Sequence, residues 1–196
     1  HTHVAQRELS PELHTKATSS LVSFLKLLED KFGLQLKYLD IGGGFESRYL
    51  MERNGFYIEY FFKEISQVLS SLSYQPTLFI EPGRCIVGDA AVALTQIVSR
   101  KKNGETNWLL TDICANTLIP LKSAFFEVIP TRYDSKEFKE SFNLGDRLCY
   151  TAGVLQKNCS LPSETTTGDY LCVLNCGVYT TSMWEHFMTV LPLVLL

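Results

Sequence analysis

Apolar segments alternate with polar and glycine-rich segments along the first 88 residues, and their spacing predicts a succession of helices and strands. Residues 10–32 begin with Ser10 and Pro11, which predict a helix with Ser10 as its N-cap, and leucines at helical spacing follow until Phe32 and Gly33. Residues 56–73 carry a second apolar stripe. The short apolar runs 35–41 and 77–81 predict buried strands, and the strand–helix–strand order favours a parallel sheet.

The pattern changes near residue 88, where we place a domain boundary. Two extended runs flank the turn residues Lys102, Asn103 and Gly104, which predicts a β-hairpin. Short runs at 124–130, 146–155 and 169–176 lie between turn residues and suit strands of a β domain.

Composition and charge narrow the class of protein. The 196 residues are 45% hydrophobic and 20% charged, which is typical of a globular protein. A net charge of −3 gives no electrostatic reason to expect nucleic acid or an anionic membrane as a partner, and the final apolar stretch is too short to span a bilayer. The six cysteines form no CxxC pair, so we interpret them as reduced thiols of a cytoplasmic protein.

Two motifs at the ends of the predicted strands carry the candidate chemistry. Gly42, Gly43 and Gly44 follow the first strand, and Glu81, Pro82, Gly83 and Arg84 end the second. Barrel folds place their chemistry at the carboxyl ends of parallel strands, and glycine N–H groups there can cradle a phosphate. The set suits a phosphorylated, nitrogen-containing cofactor. The alternatives are a structural glycine turn and a buried ion pair between Glu81 and Arg84.

These motifs resemble a known family. The segments LDIGGGF (39–45) and EPGR (81–84) are similar to those of the pyridoxal-phosphate-dependent decarboxylases of the diaminopimelate and ornithine decarboxylase type. Four further segments resemble the family in the same order: HVAQ (3–6), DICAN (112–116), LC (148–149) before VLQKNCSLP (154–162), and GVY (177–179). The resemblance implies that residues 1–88 are the second half of an alanine-racemase-like (β/α)8 TIM barrel that binds pyridoxal phosphate. Residues 89–196 would be a C-terminal β-sandwich or barrel-like domain.

The resemblance also implies a function and roles for single residues. It implies decarboxylation of a small-molecule amino acid or amino-acid derivative by a homodimer with shared active sites. Glu81 would hold the protonated ring nitrogen of the cofactor, and His3 would stack on the ring. The other cofactor-binding positions would be Gly83, Arg84 at the phosphate or the substrate carboxylate, and the phosphate-binding residues Gly42, Gly43, Gly44 and Tyr179. A tyrosine at this position could instead belong to the core.

Cys149 resembles the family's catalytic cysteine, which protonates the substrate carbon after carbon dioxide leaves. Its neighbours depart from the family pattern, because Arg147 and Leu148 replace Gly-Pro and the following acidic residues are absent. The alternative is a buried structural thiol. The missing acidic residues, together with Ile119, Pro120 and Leu121 in place of a substrate-binding arginine, predict a substrate with a different tail.

None of the eleven lysines lies in the context of the lysine that forms the Schiff base with the cofactor. We therefore expect the chain to be the C-terminal half of a larger enzyme and inactive on its own. The alternative is a catalytically inactive regulatory homologue, and a racemase fits the motif order less well. His1 and His3 alone are too weak a signal to predict a metal site.

Overall fold

The computed structural model divides the chain into two units, His1–Asp89 and Ala90–Leu196. It describes residues 1–118, 126–132, 139–151, 153–186, 188 and 190. Positions 119–121, where the sequence lacks the family's arginine, lie outside the described residues. Each unit has its own cluster of buried apolar side chains.

The first unit contains a two-stranded parallel sheet with helices between and before its strands. In the sheet Leu39 lies opposite Leu78, and two helices connect the strands, so the predicted parallel arrangement is confirmed. In chain order the elements are α1 (Glu12–Phe32), β1 (Tyr38–Asp40), α2 (Arg48–Arg53), α3 (Ile58–Leu69), β2 (Thr77–Phe79) and α4 (Arg84–Val87).

Local sequence explains where the helices begin and end. Helix α1 has Pro11 as its N-cap, so the prediction of Ser10 was wrong by one residue. It ends where Gly33 adopts a φ of 64° and donates its N–H to the Glu29 carbonyl, as the predicted glycine stop requires. Ser47 caps α2 by accepting a hydrogen bond from the N–H of Leu50. The two short helices, α2 and α4, were not predicted.

The core of the first unit lies between its long helices and its sheet. Val22 and Leu25 of α1 and Phe61 and Ile65 of α3 are buried in one cluster with Leu39. Burial of each such side chain contributes about 1.5–3 kcal/mol. This packing holds the segment after β1 in place.

The second unit is a six-stranded sheet in the order β5-β8-β3-β4-β6-β7. All neighbouring strands are antiparallel except β4 and β6, and the two edge strands contact each other, so the sheet nearly closes into a barrel. Together with the first unit, this confirms the predicted fold class. The strands are β3 (Ala93–Asn103), β4 (Thr106–Thr111), β5 (Val128–Pro130), β6 (Lys139–Gly145), β7 (Val154–Pro162) and β8 (Tyr170–Val173).

The predicted hairpin is present, with Asn103 paired to Thr106 across a turn in which Gly104 has a φ of 57°. The predicted strand at 146–155 was wrong over most of its length, because residues 146–151 lie outside the strands and β7 begins only at Val154. The carboxylate of Asp146 accepts hydrogen bonds from the N–H groups of Ala115 and Leu148, which holds this segment in a loop.

Candidate functional site

The glycine loop after β1 joins three backbone segments of the first unit. A Cβ atom on Gly43 would overlap the carbonyl oxygen of Glu81, and one on Gly44 would overlap that of Ala5. Gly42 and Gly44 also have φ values of 72° and 92°, which favour glycine. The three glycines are therefore needed for the chain to pack at this point, independently of any ligand.

Hydrogen bonds within the fold engage part of this loop. The N–H of Gly42 donates to Oδ1 of Asp40 at 2.8 Å, and the N–H of Gly43 lies 3.3 Å from Nδ1 of His3. The N–H of Glu81 donates to the Gly42 carbonyl at 2.9 Å. Two of the three glycine N–H groups thus have partners inside the fold, so their predicted contact with a phosphate stays a prediction.

Glu81 and His3 form the exposed part of the site. Oε2 of Glu81 lies 3.2 Å from Nδ1 of His3, and each side chain is 50% exposed. His3 Nδ1 can donate to Glu81 in one tautomer or accept from Gly43 in the other. Nε2 of His1 lies 3.6 Å from Oε1 of Glu81 and 3.9 Å from Oδ2 of Asp40. This grouping of His1 with two carboxylates was not foreseen from the sequence.

Arg84 points into the first unit and pairs with Glu46, not with Glu81. Its Nε lies 3.3 Å from Oε1 of Glu46, and the two side chains are 7% and 2% exposed. Burial raises the pKa of Glu46, although the N–H of Ser47 and the charge of Arg84 act in the opposite direction. The alternative interpretation of the sequence, a buried ion pair between Glu81 and Arg84, was therefore wrong. Gly83 precedes α4, and its carbonyl accepts the N–H of Val87.

His14 supports the glycine loop from beneath. Its Nε2 lies 2.9 Å from the Gly43 carbonyl, and its ring stacks on Phe45 with centroids 4.3 Å apart. Burial lowers the pKa of His14, so the neutral ring donates this hydrogen bond. No sequence pattern indicates this role, because His14 occupies an ordinary interior position of an amphipathic helix.

The other two predicted site residues, Cys149 and Tyr179, lie on loops of the second unit. Cys149 is exposed in the loop between β6 and β7, so the alternative of a buried thiol was wrong. Cys159 and Cys176 are buried, and burial raises the pKa of each thiol to about 12. Tyr179 is 43% exposed with a φ of 55°, so it is not a core residue.

The first unit is similar to a known family of domains. Residues 1–88 match the family described as the pyridoxal binding domain of pyridoxal-dependent decarboxylases. The predicted relationship to the pyridoxal-phosphate-dependent decarboxylases is confirmed. The same match confirms the predicted type of cofactor, pyridoxal phosphate.

Known decarboxylases align with both units. A diaminopimelate decarboxylase of Aquifex aeolicus is 29% identical over 192 residues, which cover 95% of this chain and 44% of that protein. One of Staphylococcus aureus is 28% identical and covers 95% of this chain and 45% of that protein. The chain thus spans less than half the length of these relatives.

Solved structures of decarboxylases share the fold. The diaminopimelate decarboxylase of Helicobacter pylori complexed with L-lysine has a TM-score of 0.75 at 24% identity, covering 94% of this chain and 45% of that one. A lysine/ornithine decarboxylase of Vibrio vulnificus complexed with cadaverine has a TM-score of 0.75 at 21% identity, covering 94% and 50%. Among the described residues, no helix combines the length and apolar character that crossing a membrane requires.

Proposed function

We propose that this chain forms part of the active site of a pyridoxal-phosphate-dependent enzyme that decarboxylates a small amino acid. The observation that carries the proposal is the half-exposed carboxylate of Glu81, which follows β2, lies beside His3, and sits in a domain that matches a pyridoxal binding family. A carboxylate in this position suits a protonated ring nitrogen as its partner.

The residues present fit the ring end of the cofactor. Glu81 would accept a hydrogen bond from the ring nitrogen, and the neighbouring imidazole of His3 would cover one face of the ring. At the phosphate end we propose the glycine loop 42–44 and Tyr179. Gly83 would set the turn into α4, and Arg84 would contribute a buried positive charge. Pyridoxal phosphate, when bound, supplies an electron sink for the pair left on the substrate carbon as carbon dioxide departs.

We propose that Cys149 supplies the proton that replaces the lost carboxylate. The proton would move from its Sγ to the α-carbon of the substrate, and solvent would then reprotonate the thiolate. Exposure supports Cys149 in this role, whereas Cys159 and Cys176 are buried thiols of high pKa. Asp146 would position Cys149, because its carboxylate accepts the N–H of the preceding residue, Leu148, and so holds the loop.

Several parts of the active site belong to the proposal for the whole protein. We propose that the lysine that carries the cofactor lies outside these 196 residues, since none of the eleven lysines has the expected context. The active form would be a homodimer with shared sites, located in the cytoplasm. The substrate would lack the distal ammonium of diaminopimelate or ornithine, because Tyr150 and Gly153 stand where the family has acidic residues after its cysteine.

Equilibrium dialysis of the chain against pyridoxal phosphate tests the role of Glu81. Glu81→Gln keeps the size of the side chain and removes its charge, so we expect binding to weaken about tenfold or more, the loss typical of a hydrogen bond to a charged group. The control Glu105→Gln changes an exposed carboxylate in the β3–β4 turn and should leave binding unchanged. Equal affinity of the two variants would contradict the proposal.

Three further measurements test the location of the linking lysine and the proposed role of Cys149. Borohydride treatment of the chain with pyridoxal phosphate should fix no cofactor stoichiometrically onto a single lysine; one labelled lysine would place the linking residue inside the chain. In the full-length protein, Cys149→Ala should slow turnover and leave cofactor binding intact. Mixing this variant with one that lacks the linking lysine should restore part of the activity, since a mixed dimer contains one complete site.

One observation favours a second candidate, a catalytically inactive regulatory homologue. The guanidinium of Arg84 is buried against Glu46, whereas the family resemblance assigns it to the phosphate or the substrate carboxylate. A full-length protein that binds pyridoxal phosphate and yields no carbon dioxide from any amino acid would favour this candidate.

A further inference from the structure

Three potential metal ligands converge at the exposed edge of the first unit. Nε2 of His1 lies 3.9 Å from Oδ2 of Asp40 and 3.6 Å from Oε1 of Glu81. These three atoms all lie within 4.8 Å of one another. They come from three separate segments: the N-terminal residues, the end of β1 and the segment that follows β2.

Each carboxylate is oriented by a hydrogen bond to its other oxygen. Oδ1 of Asp40 accepts the N–H of Gly42 at 2.8 Å, which leaves Oδ2 facing His1. Oε2 of Glu81 lies 3.2 Å from Nδ1 of His3, which leaves Oε1 facing His1. The backbone next to His1 is also fixed, because the N–H of Thr2 donates to the Asp40 carbonyl at 3.0 Å. Such outer contacts are what orient the ligands of protein metal sites.

We propose that His1, Asp40 and Glu81 bind a divalent cation of the zinc type. Tetrahedral zinc with bonds of about 2.0–2.2 Å separates its ligand atoms by roughly 3.3–3.6 Å. The observed separations from His1, 3.6 and 3.9 Å, need only a small contraction. An imidazole with two carboxylates suits zinc, whereas magnesium and calcium prefer oxygen ligands alone. Three protein ligands leave a fourth position open for water or an exchangeable ligand.

Occupancy of this site has a consequence for the cofactor. Glu81 would be shared between the metal and the ring nitrogen of pyridoxal phosphate, and its partner His3 belongs to the same cluster. Zinc and pyridoxal phosphate would therefore compete for the first unit. The inference goes beyond the proposed decarboxylase function and does not rest on it, because zinc binding is measured without pyridoxal phosphate.

Equilibrium dialysis of the chain with zinc chloride, without pyridoxal phosphate, tests the site. We expect the unchanged chain to bind one zinc ion at this site. Asp40→Asn should bind that ion at least tenfold more weakly. Asparagine keeps an oxygen that can accept the N–H of Gly42, and circular dichroism checks that the variant folds. The matched control Asp30→Asn removes an exposed carboxylate on α1 and should bind zinc normally.

Three outcomes overturn the proposal. If Asp40→Asn binds zinc as tightly as the unchanged chain, the metal is held by the terminal amine and the histidines of residues 1–3 without the carboxylates. If cobalt, used as a coloured substitute for zinc, shows intense thiolate charge-transfer absorption, the metal is bound by cysteines. A second variant, His1→Gln, should weaken zinc binding at least tenfold, and unchanged binding there would also exclude the site.

Discussion

Replacement of Arg84 by methionine isolates the contribution of the buried ion pair beneath the candidate site. Methionine keeps much of the length and apolar surface of the arginine stem but removes its charge. Glu46, which is 2% exposed, then loses the guanidinium that lies 3.3 Å from its carboxylate. Arg7 remains as a more weakly coupled positive charge.

The distance and burial of the pair set the size of the effect. At 3.3 Å and an effective dielectric constant of about 20, Coulomb's law gives an attraction of about 5 kcal/mol, before the cost of desolvation. Removal of one partner from a buried pair costs about 3–5 kcal/mol, because the other charge stays buried. We expect Arg84→Met to lower the free energy of unfolding of the first unit by about 3 kcal/mol near pH 7, the lower end of that range.

The loss should also depend on pH in a defined direction. Burial raises the folded-state pKa of Glu46 above its ordinary value of 4.5, and loss of Arg84 raises it further. The folded variant therefore holds the Glu46 proton more tightly than the unfolded chain does, and its stability falls as pH rises from 4.5 through the folded pKa. Acidification toward 4.5 should shrink the deficit by at most about 1.4 kcal/mol per pH unit.

The assay must report on the first unit, and tryptophan fluorescence does not, because Trp108 and Trp184 both lie in the second unit. Hydrogen exchange of the α1 and α3 amides in increasing urea, resolved by mass spectrometry, reads the correct unit. Arg48→Met is the control, since it removes an exposed pair with Glu52 and should cause no measurable change. Glu46→Gln combined with Arg84→Met should recover more than half of the loss. Equal effects of Arg48→Met and Arg84→Met, or no recovery in the double variant, would show that the pair is not a significant electrostatic interaction.

Three further outcomes follow from single contacts. Gly43→Ala should cost about 1–3 kcal/mol of unfolding free energy, measured by the same exchange assay, because its Cβ meets the carbonyl of Glu81. Iodoacetamide should label Cys149 in the folded chain well before the buried Cys176, as peptide mass spectrometry would show. The folded-state pKa of His14 is lowered from 6.5, so the stability that it contributes is lost as pH falls below 6.5, and His14→Gln should flatten the pH dependence of unfolding in that range.

The sequence predicted the parts of the fold that depend on periodicity. The helical stripes of α1 and α3, the parallel strands and the β3–β4 hairpin are all present. Their ends lie within a few residues of the predicted limits. Strand β6 was missed because it is short and Phe142 and Leu144 are its only large apolar residues. The predicted strand at 146–155 was wrong over residues 146–151, because the carboxylate of Asp146 accepts the N–H of Leu148, which a strand would pair with a neighbouring strand.

The candidate site was predicted residue by residue, but its internal pairing was not. Glu81 and Arg84 stand three positions apart in the sequence, and this spacing suggested an ion pair between them. The chain turns at Gly83 into α4, so the Glu81 side chain stays exposed while the Arg84 side chain enters the core and meets Glu46. The proximity of His1 to Asp40 and Glu81 depends on how three distant segments come together, which local sequence patterns do not encode.

The tight packing of the glycine loop changes what its motif reveals about a gene. A descendant that lost its chemistry would still be unable to replace Gly43 or Gly44, because a side chain there would collide with the backbone at Glu81 or Ala5. The GGG motif therefore indicates common ancestry and a chain that can fold. A catalytically inactive homologue would retain it as an active enzyme would. Glu81 has a half-exposed side chain, so under the proposed function its loss would mark a copy that no longer binds the cofactor.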